Sequence, residues 1–123
     1  MGVDQKLPKQ QRIYKEDDIN RLFRQGKAVL SYPLRAVVWD RCDGGAPRIL
    51  VSVAKKRFKL AVDRVRFKRL IREAYRKQKP QHAWDIAFIA ISDRLPDYAE
   101  VETAMTRLLK KTEQLLSCDQ KTT

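Results

Sequence analysis

RILVSVAKKRFKLAVDRVRFKRLIREAYRKQKP, residues 48–80, passes from an apolar strand through a basic loop into an amphipathic helix. Arg48 to Ala54 is apolar at nearly every position, which predicts a strand buried on both faces and central in its sheet. Between Lys55 and Lys79 stand 12 Lys and Arg residues, opposed only by Asp63 and Glu73, a net +10 in a chain whose formal charge is +12. The charge is therefore local. A dense cationic surface meets a dense anion, and the commonest is a nucleic-acid backbone.

A helix from Asp63 to Gln78, advancing about 100° per residue, separates two faces. Asp63, Phe67, Leu70, Ile71, Ala74 and Gln78 share one side, mostly apolar, which is the expected buried stripe. Lys68, Arg69, Arg72, Arg76 and Lys79 share the other, with Val65 in their midst and Arg64 and Arg66 on its shoulders. Charge runs on helices are usually only solvated, but a solvated face mixes signs for pairing three and four residues apart. A single sign at five positions calls for an external polyanion. Arg suits phosphate, because its planar fork grips two oxygens at once. An anionic membrane is the weaker partner, since the apolar side of the helix is needed for the core. Lys55, Lys56, Arg57 and Lys59 extend the basic surface ahead of the helix. Phe58 among them can stack on a base or plug the edge of the core.

Outward from this segment, Glu16, Asp17 and Asp18 favour the positive end of a first helix over Lys15–Gln25, with Ile19, Leu22 and Phe23 as its apolar stripe and Gly26 as its stop. Val29–Tyr32 reads as a short strand broken by Pro33. Leu34–Asp40 reads as a second strand, with Leu34, Ala36 and Val38 alternating against Arg35, Val37 and Trp39. The glycines and proline of 41–47 make a turn. Asp85–Ser92 is another buried strand, and Tyr98–Leu116 a last helix. The order α-β-β-β-α-β-α belongs to the α+β, split-βαβ class. Residues 1–12 read as a flexible basic N-terminus, 13–116 as one domain, and 117–123 as a frayed tail.

The 123 residues, 43% hydrophobic, suffice for one modest core. Cys42 and Cys118 lie far apart with no C-x-x-C, and His82 is the lone histidine, so a structural zinc site is not expected. The first dozen residues lack the apolar region of a secretory signal, and no stretch approaches 18 apolar residues, so a cytoplasmic protein is expected. No carboxylates cluster convincingly for two-metal catalysis: Asp17, Asp18 and Asp63 make no pair. Ser31, Ser52, Ser92 and Ser117 lack a nucleophile-elbow context. No catalytic residue and no bound cofactor are expected of the protein itself.

SVAKKRFKLAVDRVRFKRLIREAYR, Ser52 to Arg76, resembles the signature of the bacterial ribonuclease P protein subunit. Ser52, Lys55, Lys56, Ala61, Val62, Arg64, Arg66, Lys68, Arg69, Arg72 and Glu73 match it. The early EDDINRLFRQG helix and the DIAFIAI strand agree as well, so the likeness covers about residues 13 to 112. The family's Arg-Asn-Arg is Arg64-Val65-Arg66 here, and Val cannot make the hydrogen bonds an Asn can. Ala54 stands where Ser is frequent.

The resemblance implies a four-stranded, ribosomal-protein-like fold with a left-handed βαβ crossover, against the usual right-handed rule. It implies one protein assisting one catalytic RNA that removes the 5′ leader of precursor tRNA, with Mg²⁺ held by the RNA. RNA binding would then fall to Lys55, Lys56, Arg57, Lys59, Arg64, Val65, Arg66, Lys68, Arg69, Arg72 and Arg76. The single-stranded leader would lie in a cleft offering Phe23, Arg35, Val37 and Trp39, where stacking joins a basic track. The alternative is a ribosomal or architectural RNA-binding protein without catalytic association.

Overall fold

The structure, a computed structural model, describes the backbone of residues 12–121 and the side chains of residues 12–116. The elements run α1 (Glu16–Gln25), β1 (Lys27–Ser31), β2 (Leu34–Asp40), β3 (Arg48–Ser52), α2 (Ala61–Lys77), β4 (Trp84–Ala90) and α3 (Tyr98–Lys121). This is the expected α+β order. The expected flexible N-terminus lies, Arg12 apart, outside the described residues, as do residues 122 and 123. α3 continues five residues past its expected end at Leu116, to Lys121.

One mixed sheet carries the strands in the order β1-β2-β4-β3. β1 pairs antiparallel with β2, β2 antiparallel with β4, and β3 parallel with β4 across the α2 connection. β1 and β2 form a hairpin in which Ser31 faces Leu34 across Tyr32-Pro33, joined by a cis peptide bond. β1 thus begins two residues earlier than its apolar residues indicate.

The expectation that Arg48–Ala54 lies centrally is corrected: β3 is an edge strand ending at Ser52, and β4 is central. The apolar run has a different cause. Ile49 packs into the core beneath α2 and α3, while Leu50 packs on the opposite face beneath α1. The outer edge is partly occupied too: Arg12 bridges to Ile49 in parallel, and the Ile13 N–H donates to the Ile49 carbonyl at 2.9 Å.

Helices cover both faces of the sheet. On one, Val38, Ile86 and Phe88 meet Phe67, Ile71 and Tyr75 of α2 and Val101, Met105 and Leu108 of α3. On the other, a smaller cluster of Ile13, Leu22, Val37 and Ala87 seats α1. The seat is tight. A Cβ on Gly26 would come within 2.5 Å of the Leu22 carbonyl oxygen and 2.6 Å of Val37 Cγ1. Gly26 has φ −75, an ordinary value, so glycine is needed for this close approach rather than for a left-handed helix stop.

Candidate nucleic-acid interface

α2 presents its two faces nearly as its periodicity requires. Phe67, Ile71 and Ala74 are buried, and Tyr75 joins them. Asp63, Leu70 and Gln78, expected on the buried stripe, are only half-buried. Gln78 lies on the seam with α3, where its amide donates to the Glu102 carbonyl and its carbonyl accepts from Thr106 Oγ1 at 2.8 Å. Phe58 belongs to the core: it is buried and meets the Phe67 ring edge-on at 5.5 Å.

The outer face of α2 carries the charge. Arg66, Arg69 and Arg76 are exposed, Lys68 and Arg72 half-buried, and Val65 is 55% exposed among them. Lys55, Lys56, Arg57 and Lys59 are exposed in the preceding loop. Among the expected RNA-binding arginines, Arg57 and Arg64 are held by the protein itself. Arg57 donates to the Ile91 carbonyl at 2.8 Å and pairs with Asp93 at 2.9 Å. Arg64 is half-buried and donates to the carbonyls of Phe58 at 2.7 Å and Lys59 at 3.1 Å, so it fastens the basic loop to the helix.

Arg12 joins this surface unforeseen. It reaches Arg72 electrostatically from the outer edge of β3: burial first, and then the Arg12 charge, lower the Arg72 guanidinium below its usual value. The basic residues before α1 hinted at such a contribution, but the bridge of Arg12 to Ile49 is a long-range pairing that composition does not reveal.

On the α1 face, register lines the strand residues into rows. Trp39, Asp85 and Arg48 form one row; Ala28, Val37, Ala87 and Leu50 the next; Leu30, Arg35, Ile89 and Ser52 the third. α1 lies with Leu22 against the middle row. One flank of the helix serves the first row, where Asp18 pairs with Arg48 at 3.3 Å and Arg21 lies over the Trp39 ring at 5.9 Å. Ile19 and Phe23 lie on the opposite flank, toward the third row.

The cleft candidates therefore separate. Arg35 is exposed in the third row, with Leu30 59% exposed beside it, and Phe23 is 47% exposed on the flank above. Trp39 is half-buried beneath Arg21. Val37 does not line the cleft: it is buried under α1 at the Gly26 contact. Alternation placed it on the correct face of the sheet, but nothing local reveals that a helix covers that row. Leu30, Ile89 and Ser52 escape a sequence reading because only strand register makes them neighbours.

The floor beside α1 is fixed by a buried carboxylate. Asp85 accepts from Arg48 Nη2 at 2.8 Å and from Arg41 Nη1, which ties the 41–46 turn to the sheet. Arg41 also pairs with Asp43 at 3.0 Å. Among the described residues no three His, Cys, Asp or Glu side chains, Asp17, Asp18 and Asp63 included, are grouped to hold a metal ion. Exposed His82 stacks on Trp84 at 4.6 Å. No described helix is long and apolar enough to cross a membrane.

A family model described as Ribonuclease P matches residues 7–113. The ribonuclease P protein component of Porphyromonas gingivalis is 46% identical over 114 residues, covering 84% of this chain and 83% of that protein. The component from a Clostridium botulinum strain is 38% identical over 109 residues, covering 84% and 95%. The Staphylococcus aureus RNase P protein structure superposes with a TM-score of 0.74 at 27% identity, covering 84% of this chain and 95% of that one. Three helices on a four-stranded mixed sheet, with a cationic α2 and an open row beside α1, thus coincide with a family match over most of the sequence: the chain belongs to the ribonuclease P protein component family.

Proposed function

We propose that this protein binds the catalytic RNA of ribonuclease P through the outer face of α2 and the Lys55–Lys59 loop, and holds the 5′ leader of precursor tRNA over the open row beside α1. The observation that carries this reading is the separation of faces on α2: Phe67, Ile71, Ala74 and Tyr75 are buried while Lys68, Arg69, Arg72 and Arg76 lie on the outer side. Such a helix can neutralise phosphates without disturbing its core. Lys55 and Lys56 come three and four residues after Ser52 of the open row, so the basic track continues from the cleft toward the helix.

The protein's share is binding and screening. The RNA supplies the chemistry through its own Mg²⁺, and among the described residues no carboxylate cluster is grouped to hold that ion. One protein serves one RNA, in the cytoplasm. Phe23 offers a ring for a leader base and Arg35 a phosphate contact.

Charge reversal at Lys68 and Arg69 tests this in a titration of a bacterial ribonuclease P RNA. Every phosphate left without its cation flattens the slope of log K against log salt by roughly 0.7 to 0.9. Precursor cleavage by that RNA at limiting Mg²⁺ should require the wild-type protein, and the protein freed of RNA should not cleave. An unchanged slope, or cleavage by RNA-free protein, overturns the assignment.

A further inference from the structure

The N-terminal end of α2 combines its charge with exposed apolar surface. Leu60 is 63% exposed, Val62 64% and Val65 55%. Val62 and Val65, three residues apart, share a face with Arg66 and Arg69. Leu60 is the N-cap, and its carbonyl accepts from the N–H groups of Asp63 and Arg64. It makes no side-chain cap hydrogen bond. The Arg64 guanidinium, bonded to the Phe58 and Lys59 carbonyls, holds this corner to the helix.

Each of the three residues is a poor local choice. Leu is among the weakest N-caps, where Ser or Asp would satisfy an amide. Val in an exposed helix turn is inferior to Lys, Arg or Ala. Three such residues on one corner, rimmed by Lys59, Arg66 and Arg69, form an apolar patch that the domain's own packing does not use.

We infer that Leu60, Val62 and Val65 form a seat for an unpaired nucleotide of the partner RNA, its base or ribose resting on the three side chains while Lys59, Arg66 and Arg69 take the flanking phosphates. The inference rests on the proposed RNA partnership and adds the kind of RNA element met there. The cationic rim selects a polyanion, and the apolar centre selects one that exposes apolar faces. A paired RNA helix hides its base faces, whereas a bulge or loop exposes them. Val65 then has a role as a contact that needs no hydrogen bond.

The test is the double variant Leu60→Ser, Val62→Ala in the full chain, which leaves the charge unaltered and improves both the cap and the helix propensity. Two synthetic RNAs of equal phosphate number, one fully paired and one with an internal loop, are titrated alongside a bacterial ribonuclease P RNA and phosphatidylglycerol vesicles. Affinity for the looped RNA and for the ribonuclease P RNA should fall roughly 5- to 20-fold, equivalent to about 1–1.8 kcal/mol of apolar burial. The salt slope and the binding of the paired RNA should stay unaltered, and the melting temperature should not fall. Equal losses on both synthetic RNAs, no loss on either, a lowered melting temperature, or loss only on vesicles overturns the seat. If the wild-type protein fails to bind the ribonuclease P RNA at all, the proposed function fails first.

Discussion

Gly26→Ala is the sharpest test of how α1 is seated. A new Cβ would lie 2.5 Å from the Leu22 carbonyl oxygen, 2.6 Å from Val37 Cγ1 and 3.0 Å from the Val38 carbonyl oxygen. Two of the three obstacles are backbone, so rotating a side chain cannot clear them. The end of α1 must move away from β2 by several tenths of an ångström. Overpacking of this kind costs about 1–3 kcal/mol. The backbone angle of Gly26 suits alanine, so the more restricted unfolded chain returns about 0.4–1 kcal/mol. The net expectation is a loss of about 1–2 kcal/mol, read as a drop of roughly 4–10 °C in melting temperature or as a lowered midpoint in urea. Val37→Ala removes one obstacle, so the double variant should lose less than the sum of the two single changes. The same displacement shifts Phe23 relative to Arg35, and leader affinity should fall in parallel while binding through α2 is retained. A Gly26→Ala protein as stable as the wild type would refute the close approach and, with it, the account of why Val37 is buried.

Asp85→Asn leaves Arg41 and Arg48 around a neutral group in a buried site, and urea unfolding should show a loss of about 3 kcal/mol, as when one partner of a buried pair is removed. Tyr75 is fully buried, its hydroxyl has no hydrogen-bond partner among the described residues, and burial raises its pKa far above the usual value, so Tyr75→Phe should stabilise the protein by about 1 kcal/mol. A loss of stability would mean that the hydroxyl is satisfied in solution. The Arg94 hydrogen bond, and then the Asp97 backbone N–H, hold the Glu100 carboxyl below its usual 4.5; Arg41, and then the Gly45 N–H, do the same for Asp43 below 3.8. Groups depressed in the folded state stabilise it above their unfolded values and lose that contribution as pH falls through the folded ones. The melting temperature should therefore hold from pH 7 to about 5 and decline below, and Glu100→Gln should make the decline shallower.

Periodicity carried much of the fold into view. Leu34–Asp40 begins and ends where its alternation begins and ends, and Phe67, Ile71 and Ala74 are buried where the helical repeat puts them. Position within the sheet was not legible. An apolar run such as Arg48–Ser52 reports burial on two faces, and an edge strand between α1 and α2 satisfies that as well as a central one. The cationic face was readable because charge on a helix needs only the repeat to be placed. The cleft was not, because Leu30, Arg35, Ile89 and Ser52 become neighbours only through pairing between strands far apart in sequence. Arg57 and Arg64 are engaged through acceptors that only the fold brings to them, the Ile91 carbonyl and Asp93 carboxylate for Arg57 and the Phe58 and Lys59 carbonyls for Arg64.

β4 is shared by both halves of the molecule. Ile86 and Phe88 point into the layer beneath α2 and α3, while Ala87 and Ile89 point into the layer beneath α1. A strand laid over Arg35 and an RNA gripped by the outer face of α2 would thus stand on opposite sides of the sheet, with α2 and its packing layer between them. Hydrogen bonds fix the distance between neighbouring strands, and the packing of Phe67, Ile71 and Tyr75 on Ile86 and Phe88 fixes how far α2 stands off the sheet. The protein would act as a gauge, holding two RNAs at one distance whatever their sequences. Substitutions that leave both surfaces intact but thin the packing around β4, such as Phe88→Ala, would then blur where the leader is placed before they weaken its binding.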